Sequence, residues 1–199
     1  MKSYTVCRAS APAWELVPEI EVNTALWLPN PDIRMTAQVC HDGDNIFVRL
    51  RAWEENIRAF LSAPDSPVCE DSCMEFFFSP DPAESGYFNV EINPNGCFFL
   101  GFGHGRHDLC RLFPENGTEL FNIKTARHAD GWEVSYRIPL AFIRKYYPDF
   151  EASQGRKMRA NFYKCGDKCK KPHYLSWNPV TSETPDFHRP CDFGDVIFG

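Results

Sequence analysis

The sequence predicts an all-β protein: one antiparallel β-sandwich, jelly-roll-like, with one or two short helices, formed by residues 1–199 as a single domain. Three observations predict it. Apolar and polar residues alternate with period two along most segments, which places one face of each strand on a core. Turn residues recur at short spacing with almost no strand–helix–strand alternation, the pattern of antiparallel rather than parallel sheets. Finally, 17 Phe, 7 Tyr and 5 Trp make 15% of the 199 residues aromatic, with 16 Pro and 12 Gly as punctuation. That composition suits short strands around a sizeable core.

The elements follow in order. A strand is expected over residues 35–40, ended by the turn His41-Asp42-Gly43-Asp44-Asn45. In the next strand Ile46, Val48, Leu50 and Ala52 share one face, and Phe47, Arg49, Arg51 and Trp53 the other. Residues 54–61 read as a short helix. Strands then follow over 73–78 and 87–93, and the turn Asn93-Pro94-Asn95-Gly96 joins the second to a strand over 97–102 as a hairpin. After the turn Glu115-Asn116-Gly117 comes a strand over 120–126, then the turn Ala129-Asp130-Gly131. Trp132, Val134, Tyr136 and Ile138 alternate with Glu133, Ser135 and Arg137 in the strand beyond it. Two helical turns are expected over 140–147, then strands over 157–165 and 173–177, and a proline-braced tail.

Charge narrows the function. There are 21 basic and 27 acidic residues, a formal net charge of −6. The chain lacks the basic excess that draws proteins to phosphate backbones or anionic lipid, so nucleic acid is not expected as a partner. The longest apolar run, residues 97–103, falls short of the roughly 18 residues that span a bilayer, so membrane insertion is not expected either. The start, Met1 to Arg8, has no secretory apolar stretch. Nine cysteines, an odd number with several inside apolar runs, read as buried thiols in a reducing, cytoplasmic setting.

Three clusters carry candidate chemistry. In Glu70-Asp71-Ser72-Cys73-Met74-Glu75-Phe76-Phe77-Phe78, alternation puts Cys73, Glu75 and Phe77 on one face, and a carboxylate beside Phe77 must be paired or hydrogen-bonded. It could hold sugar hydroxyls, act as an acid, bind a metal or simply form an ion pair. Asn89, Glu91 and Asn93 form a row suited to hydroxyl groups, although an ordinary solvated sheet face would look the same. Cys165, Cys169 and His173, with Cys191 or His188 as a fourth ligand, raise zinc on loose spacing. No nucleophile elbow, zinc-protease motif or phosphate loop is present.

Taken in order, five segments resemble the family 9 carbohydrate-binding modules. They are Met74-Glu75-Phe76-Phe77-Phe78, the run from Tyr87 to Gly96, Gly131-Trp132-Glu133 through Ile138-Pro139, Arg159-Ala160-Asn161-Phe162, and the tail from Ser176 to Gly194. The resemblance implies a sandwich that binds oligo- or polysaccharide without catalysis, often at a chain end, here in stand-alone form and linked to carbohydrate catabolism. It implies two aromatic rings sandwiching a sugar, with polar groups on its hydroxyls. Glu75 fits the acidic residue of that site, Asn89 and Glu91 the polar pair on the next strand, and Lys164 (or Tyr163) the amide-bearing strand. Phe187 falls where the second aromatic sits, with His188 beside it. The first aromatic is replaced by Cys69, with Trp53 or Tyr87 as substitutes. No cofactor is required, although the resemblance also implies structural calcium, for which no D-x-D-x-D-G loop is present.

Two other classes compete with sugar binding. Glu75 and Glu91 could be the two carboxylates of a glycoside hydrolase, which need about 5–5.5 Å or 6.5–9.5 Å between them. Alternatively, Met74, Met158 and His188 could ligate haem, although Met more often fills cores.

Overall fold

The structure is a computed structural model and describes residues 1–9, 12–64 and 66–199. The alternating segments become strands in two layers. The first layer comprises β4 (Arg34–His41), β5 (Asn45–Trp53), β10 (Lys124–His128) and β11 (Gly131–Pro139), in the order β10-β11-β5-β4, with the short β2 (Ile20–Glu21) on β4. The second is ordered β14-β12-β6-β7-β8-β9: β14 (Gly194–Phe198), β12 (Lys157–Cys165), β6 (Cys73–Ser79), β7 (Tyr87–Ile92), β8 (Phe98–Gly103) and β9 (Cys110–Arg111). At the far half of β12, β13 (Tyr174–Ser176) takes the edge that β14 leaves, and β3 (Thr24–Ala25) pairs with β13.

One strand joins the layers. β1 (Ser3–Arg8) runs parallel to β14 through its first residues and parallel to β4 through Cys7 and Arg8. The sheet therefore curls on itself and its two halves face each other. Among the described residues all the other pairings are antiparallel.

The main core fills the space between the layers. It takes Ile46, Val48, Leu50 and Ala52 from β5, Trp132, Val134, Tyr136 and Ile138 from β11, and Met74, Phe76 and Phe78 from β6. Phe76 stacks between Phe78 and Phe162, with centroids 5.0 and 4.7 Å away, a geometry that adds to simple area burial. The outward face of the second layer is covered as well. Cys73, Phe77, Tyr87, Tyr163 and Cys165 pack there under Leu26, Val68, Phe187 and Phe193 from loops. Burial on both faces explains why β6, Glu75 apart, carries apolar side chains on both faces from Cys73 to Phe78 rather than on one.

Local differences from the sequence reading have local causes. Residues 54–61 are not helical: the Phe60 and Leu61 amides donate to Asp71 Oδ2 at 3.0 and 2.9 Å, so a buried side chain takes bonds a helix would use. The strand expected from residue 120 begins at Lys124, behind the short helix α1 (Gly117–Phe121), which Asn116 and Asn122 bracket with φ of 51° and 49°. The second helix, α2 (Leu140–Ile143), is one turn long, although the Tyr146 and Tyr147 amides still bond to Ile143 O. The strands β1, β2, β3, β9 and β14 were not anticipated; three of them are only two residues long.

Candidate functional site: an acid-floored aromatic cleft

Strand register builds the floor. Tyr163, Glu75, Glu91 and Phe99 stand side by side across β12, β6, β7 and β8, and because they share parity they all project outward, away from the main core. The next row reads Asn161, Phe77, Asn89 and Gly101, and on the other side Cys165 opposes Cys73. Loops rise around the floor and leave a cleft of about 140 Å³ lined by Trp27, Cys69, Glu75, Glu91, Arg106 and Cys165, and closed by Asp167, Tyr174 and residues 185–188.

The walls are aromatic. Phe187 lies flat on Tyr163, with centroids 4.1 Å apart and planes at 10°. Trp27 tilts against Phe187 at 5.5 Å and meets Tyr174 edge-on at 5.4 Å. Trp27 holds a left-handed backbone conformation, φ 56°, which is uncommon for a bulky residue and persists only when its surroundings fix it. Here its indole N–H donates to Ser182 O at 2.8 Å and the two rings clamp it. Trp27 and Tyr174 are half-buried, whereas Phe187 is 8% exposed, so the first two present most of the reachable ring surface.

The floor is acidic and buried. The Cys165 thiol donates to Glu75 Oε1 at 2.9 Å, and Asn89 Nδ2 donates to Glu91 Oε1 at 2.7 Å. Burial, and then the neighbouring Glu91, push the Glu75 carboxyl well above the usual range. Burial raises Glu91 to about 7 against the pull of Asn89. Near neutral pH the pair therefore keeps a proton and offers a donor and acceptors together. Gly101 makes the arrangement possible, because a Cβ there would collide with Asn89 Oδ1. At the rim, His188 Nδ1 and the Tyr87 hydroxyl hydrogen-bond at 2.9 Å, and burial lowers the imidazole to about 4, leaving it neutral.

Four of the six residues singled out in the sequence, Glu75, Glu91, Phe187 and His188, line the cleft. Asn89 stands behind Glu91 and orients it. The outward row is buried beneath loops rather than solvated. Lys164 is elsewhere. It shares parity with Ala160 and Phe162, so it points into the main core, where its ammonium lies 3.2 Å from Glu54 Oε1 and donates to His173 Nε2 at 2.9 Å. Tyr163 is the residue of that strand on the cleft side. Trp53 is not at the cleft but lies under the guanidinium groups of Arg34 and Arg51 on the other layer. Tyr87 is wholly buried beneath His188.

Sequence reasoning missed Trp27, Arg106, Asp167 and Tyr174 as cleft residues. The one available signal for Trp27 was its position in the loop Leu26-Trp27-Leu28-Pro29, outside any strand pattern.

Among the described residues, one group of side chains could hold a metal ion: Cys73 Sγ, a Glu75 oxygen and Cys165 Sγ, all within 4.8 Å of one another. Two thiols do not fit calcium, which takes oxygen ligands. The spacing Cys165, Cys169 and His173 does not converge, because Cys165 turns to Glu75 while Cys169 meets Ser72 and His173 meets Lys164. Met74 and Met158 are fully buried in the main core, apart from His188 in the cleft, so the haem reading fails.

The chain as a whole has relatives among known proteins. The sequence pattern of carbohydrate-binding family 9 matches residues 14–198. No curated protein matches the chain. Among solved structures, a proposed carbohydrate-binding protein from Bacteroides uniformis is similar at TM-score 0.85 and 26% identity, covering 100% of this chain and 99% of that one. A family 9 module from Caldicellulosiruptor kristjanssonii in complex with glucose is similar at TM-score 0.72 and 14% identity, covering 100% and 96%. The same organism's module in complex with cellotriose gives TM-score 0.70 and 13% identity, covering 99% and 93%. With its sandwich in place and residues 14–198 matched, the chain belongs to carbohydrate-binding family 9.

Proposed function

We propose that the cleft binds one sugar ring at the end of an oligosaccharide and does not cleave it, serving polysaccharide catabolism. The observation that carries this reading is the meeting of half-buried aromatic rings, Trp27 and Tyr174, with the carboxyls Glu75 and Glu91 in one small space. Ring faces cover the apolar C–H face of a sugar, and planar carboxyls address its hydroxyls. A cleft of about 140 Å³ lies well below the roughly 300 Å³ at which pockets for drug-sized ligands begin, so a single ring suits it better than a run of rings. Glucose and cellotriose in the neighbouring family members support the same class of ligand.

Binding without hydrolysis is favoured by where the acids stand. Glu75 and Glu91 rise side by side from one floor and meet a ligand from the same side. Glycoside hydrolysis places its two carboxyls on either side of the scissile bond.

Calorimetric titration with glucose and cellotriose tests the reading. Trp27→Ala is expected to weaken binding by ~1–3 kcal/mol, the order of a lost aromatic anchor, while the protein stays folded. Undiminished affinity in the folded variant would contradict it. So would release of reducing sugar from cello-oligosaccharides that disappears in Glu75→Gln.

A further inference from the structure

We propose that Cys73, Glu75 and Cys165 form a zinc site in the floor of the cleft, with three protein ligands and a fourth position open to the cleft. The proposal does not depend on the sugar reading, since the ligands are set by the sheet alone.

The geometry is close to what zinc needs. Zn–S of about 2.3 Å and Zn–O of about 2.0–2.2 Å in a tetrahedron put the ligand atoms about 3.6–3.8 Å apart. The three atoms already lie within 4.8 Å of one another, so closure requires only small side-chain rotations. The backbone beneath them is rigid: Cys73 and Cys165 are direct partners across β6 and β12, and Glu75 is two residues along the same strand face.

The donor chemistry selects the ion. Two thiolates and one carboxylate suit zinc, whereas calcium and magnesium take all-oxygen sets. The three groups are buried and already meet one another. The Cys165 thiol lies 2.9 Å from Glu75 Oε1 and 3.6 Å from the Cys69 carbonyl, and the Cys73 thiol hydrogen-bonds with Cys165 and lies 3.9 Å from the Met74 carbonyl. On binding, zinc would release to solvent the protons of both thiols and any proton held by Glu75, and Cys165 Sγ and Glu75 Oε1 would part from 2.9 Å to about 3.6 Å to admit it. An entry path exists, because Glu75 and Cys165 line the cleft and Cys73 stands directly beside Cys165.

The test uses the full chain, reduced and stripped of metal by a chelator. Zinc is titrated against a chromophoric competitor, and cadmium is then substituted to read thiolate-to-metal absorption. One tight equivalent is expected, with a cadmium–thiolate band. Cys73→Ser and Cys165→Ser should each weaken binding at least a hundredfold and diminish the band. Glu75→Gln should weaken it at least tenfold while keeping the band. Cys110→Ser and Cys191→Ser, at exposed thiols, should bind as wild type does. The proposal is overturned if the wild type binds no zinc tightly, or if Cys165→Ser matches the wild type. Should either buried cysteine variant fail to fold, unchanged affinity in Glu75→Gln overturns it by itself.

Discussion

Glu54 and Glu75 are both buried carboxyls at the β12–β6 pair, one on its core face and the other on its cleft face, and the molecule treats them in opposite ways. Burial pushes Glu54 up, but Lys164 at 3.2 Å, the Trp132 indole N–H at 2.6 Å and the Ser72 hydroxyl at 3.0 Å outweigh it and hold the carboxyl below its usual range. Glu75 has a second acid beside it and a thiol as its donor, and burial lifts it well above that range. The same sheet thus completes one site with its own groups and leaves the other wanting partners. An uncompensated acid pair at the bottom of an open cleft is costly in an empty protein and useful in one that binds ligands there.

The largest expected effect breaks the completed side. Lys164→Met should destabilise the protein by ~3–5 kcal/mol in urea denaturation, because it strands the Glu54 charge in the core. Glu75→Gln, measured in the same way in metal-free protein, should leave stability equal or higher, because the amide is spared the cost of ionising in a buried site beside Glu91. Equal losses in the two variants would erase the distinction between the faces.

Phe187 joins the two roles and comes next. It walls the cleft, but it is stacked on Tyr163 and mostly buried. Phe187→Ala should therefore cost about 3 kcal/mol of stability as well as sugar affinity. A fully stable Phe187→Ala protein would mean that the ring is not part of the second core.

The smallest effect is a pH dependence at the rim. His188 is neutral in the folded protein because burial lowers it to about 4, below its unfolded value near 6.5. The unfolded chain binds the proton first, so this contribution is complete above about pH 6.5 and is lost as pH falls towards 4. The Tm of wild type should fall more steeply across that window than that of His188→Gln. Parallel profiles would show that His188 is solvated.

Much of this was legible in the sequence, for physical reasons that also mark the limit. Strand β5 was readable to the residue and β11 nearly so, since strict alternation leaves one register that buries the apolar set. Glu75 and Glu91 stood out because an acid inside an apolar run must serve some purpose. Lys164 was placed on the wrong face because its strand is buried on both sides, so the alternation that would have revealed its direction is missing. Trp27 was invisible because it sits on a loop, at a backbone angle that tertiary contacts impose. The covering layer itself comes from segments with little periodicity, which pattern reading cannot place.

The central claim is that the aromatic, acid-floored cleft is where sugar binds. Two-dimensional NMR of the indole N–H groups, assigned by Trp→Phe substitution, tests it most directly, since Trp27 borders the cleft and Trp53 lies on the other layer. On titration with glucose or cellotriose the Trp27 resonance should shift with saturation while the Trp53 resonance stays in place. A saturable shift at Trp53 with none at Trp27, or no shift at either, would contradict the account.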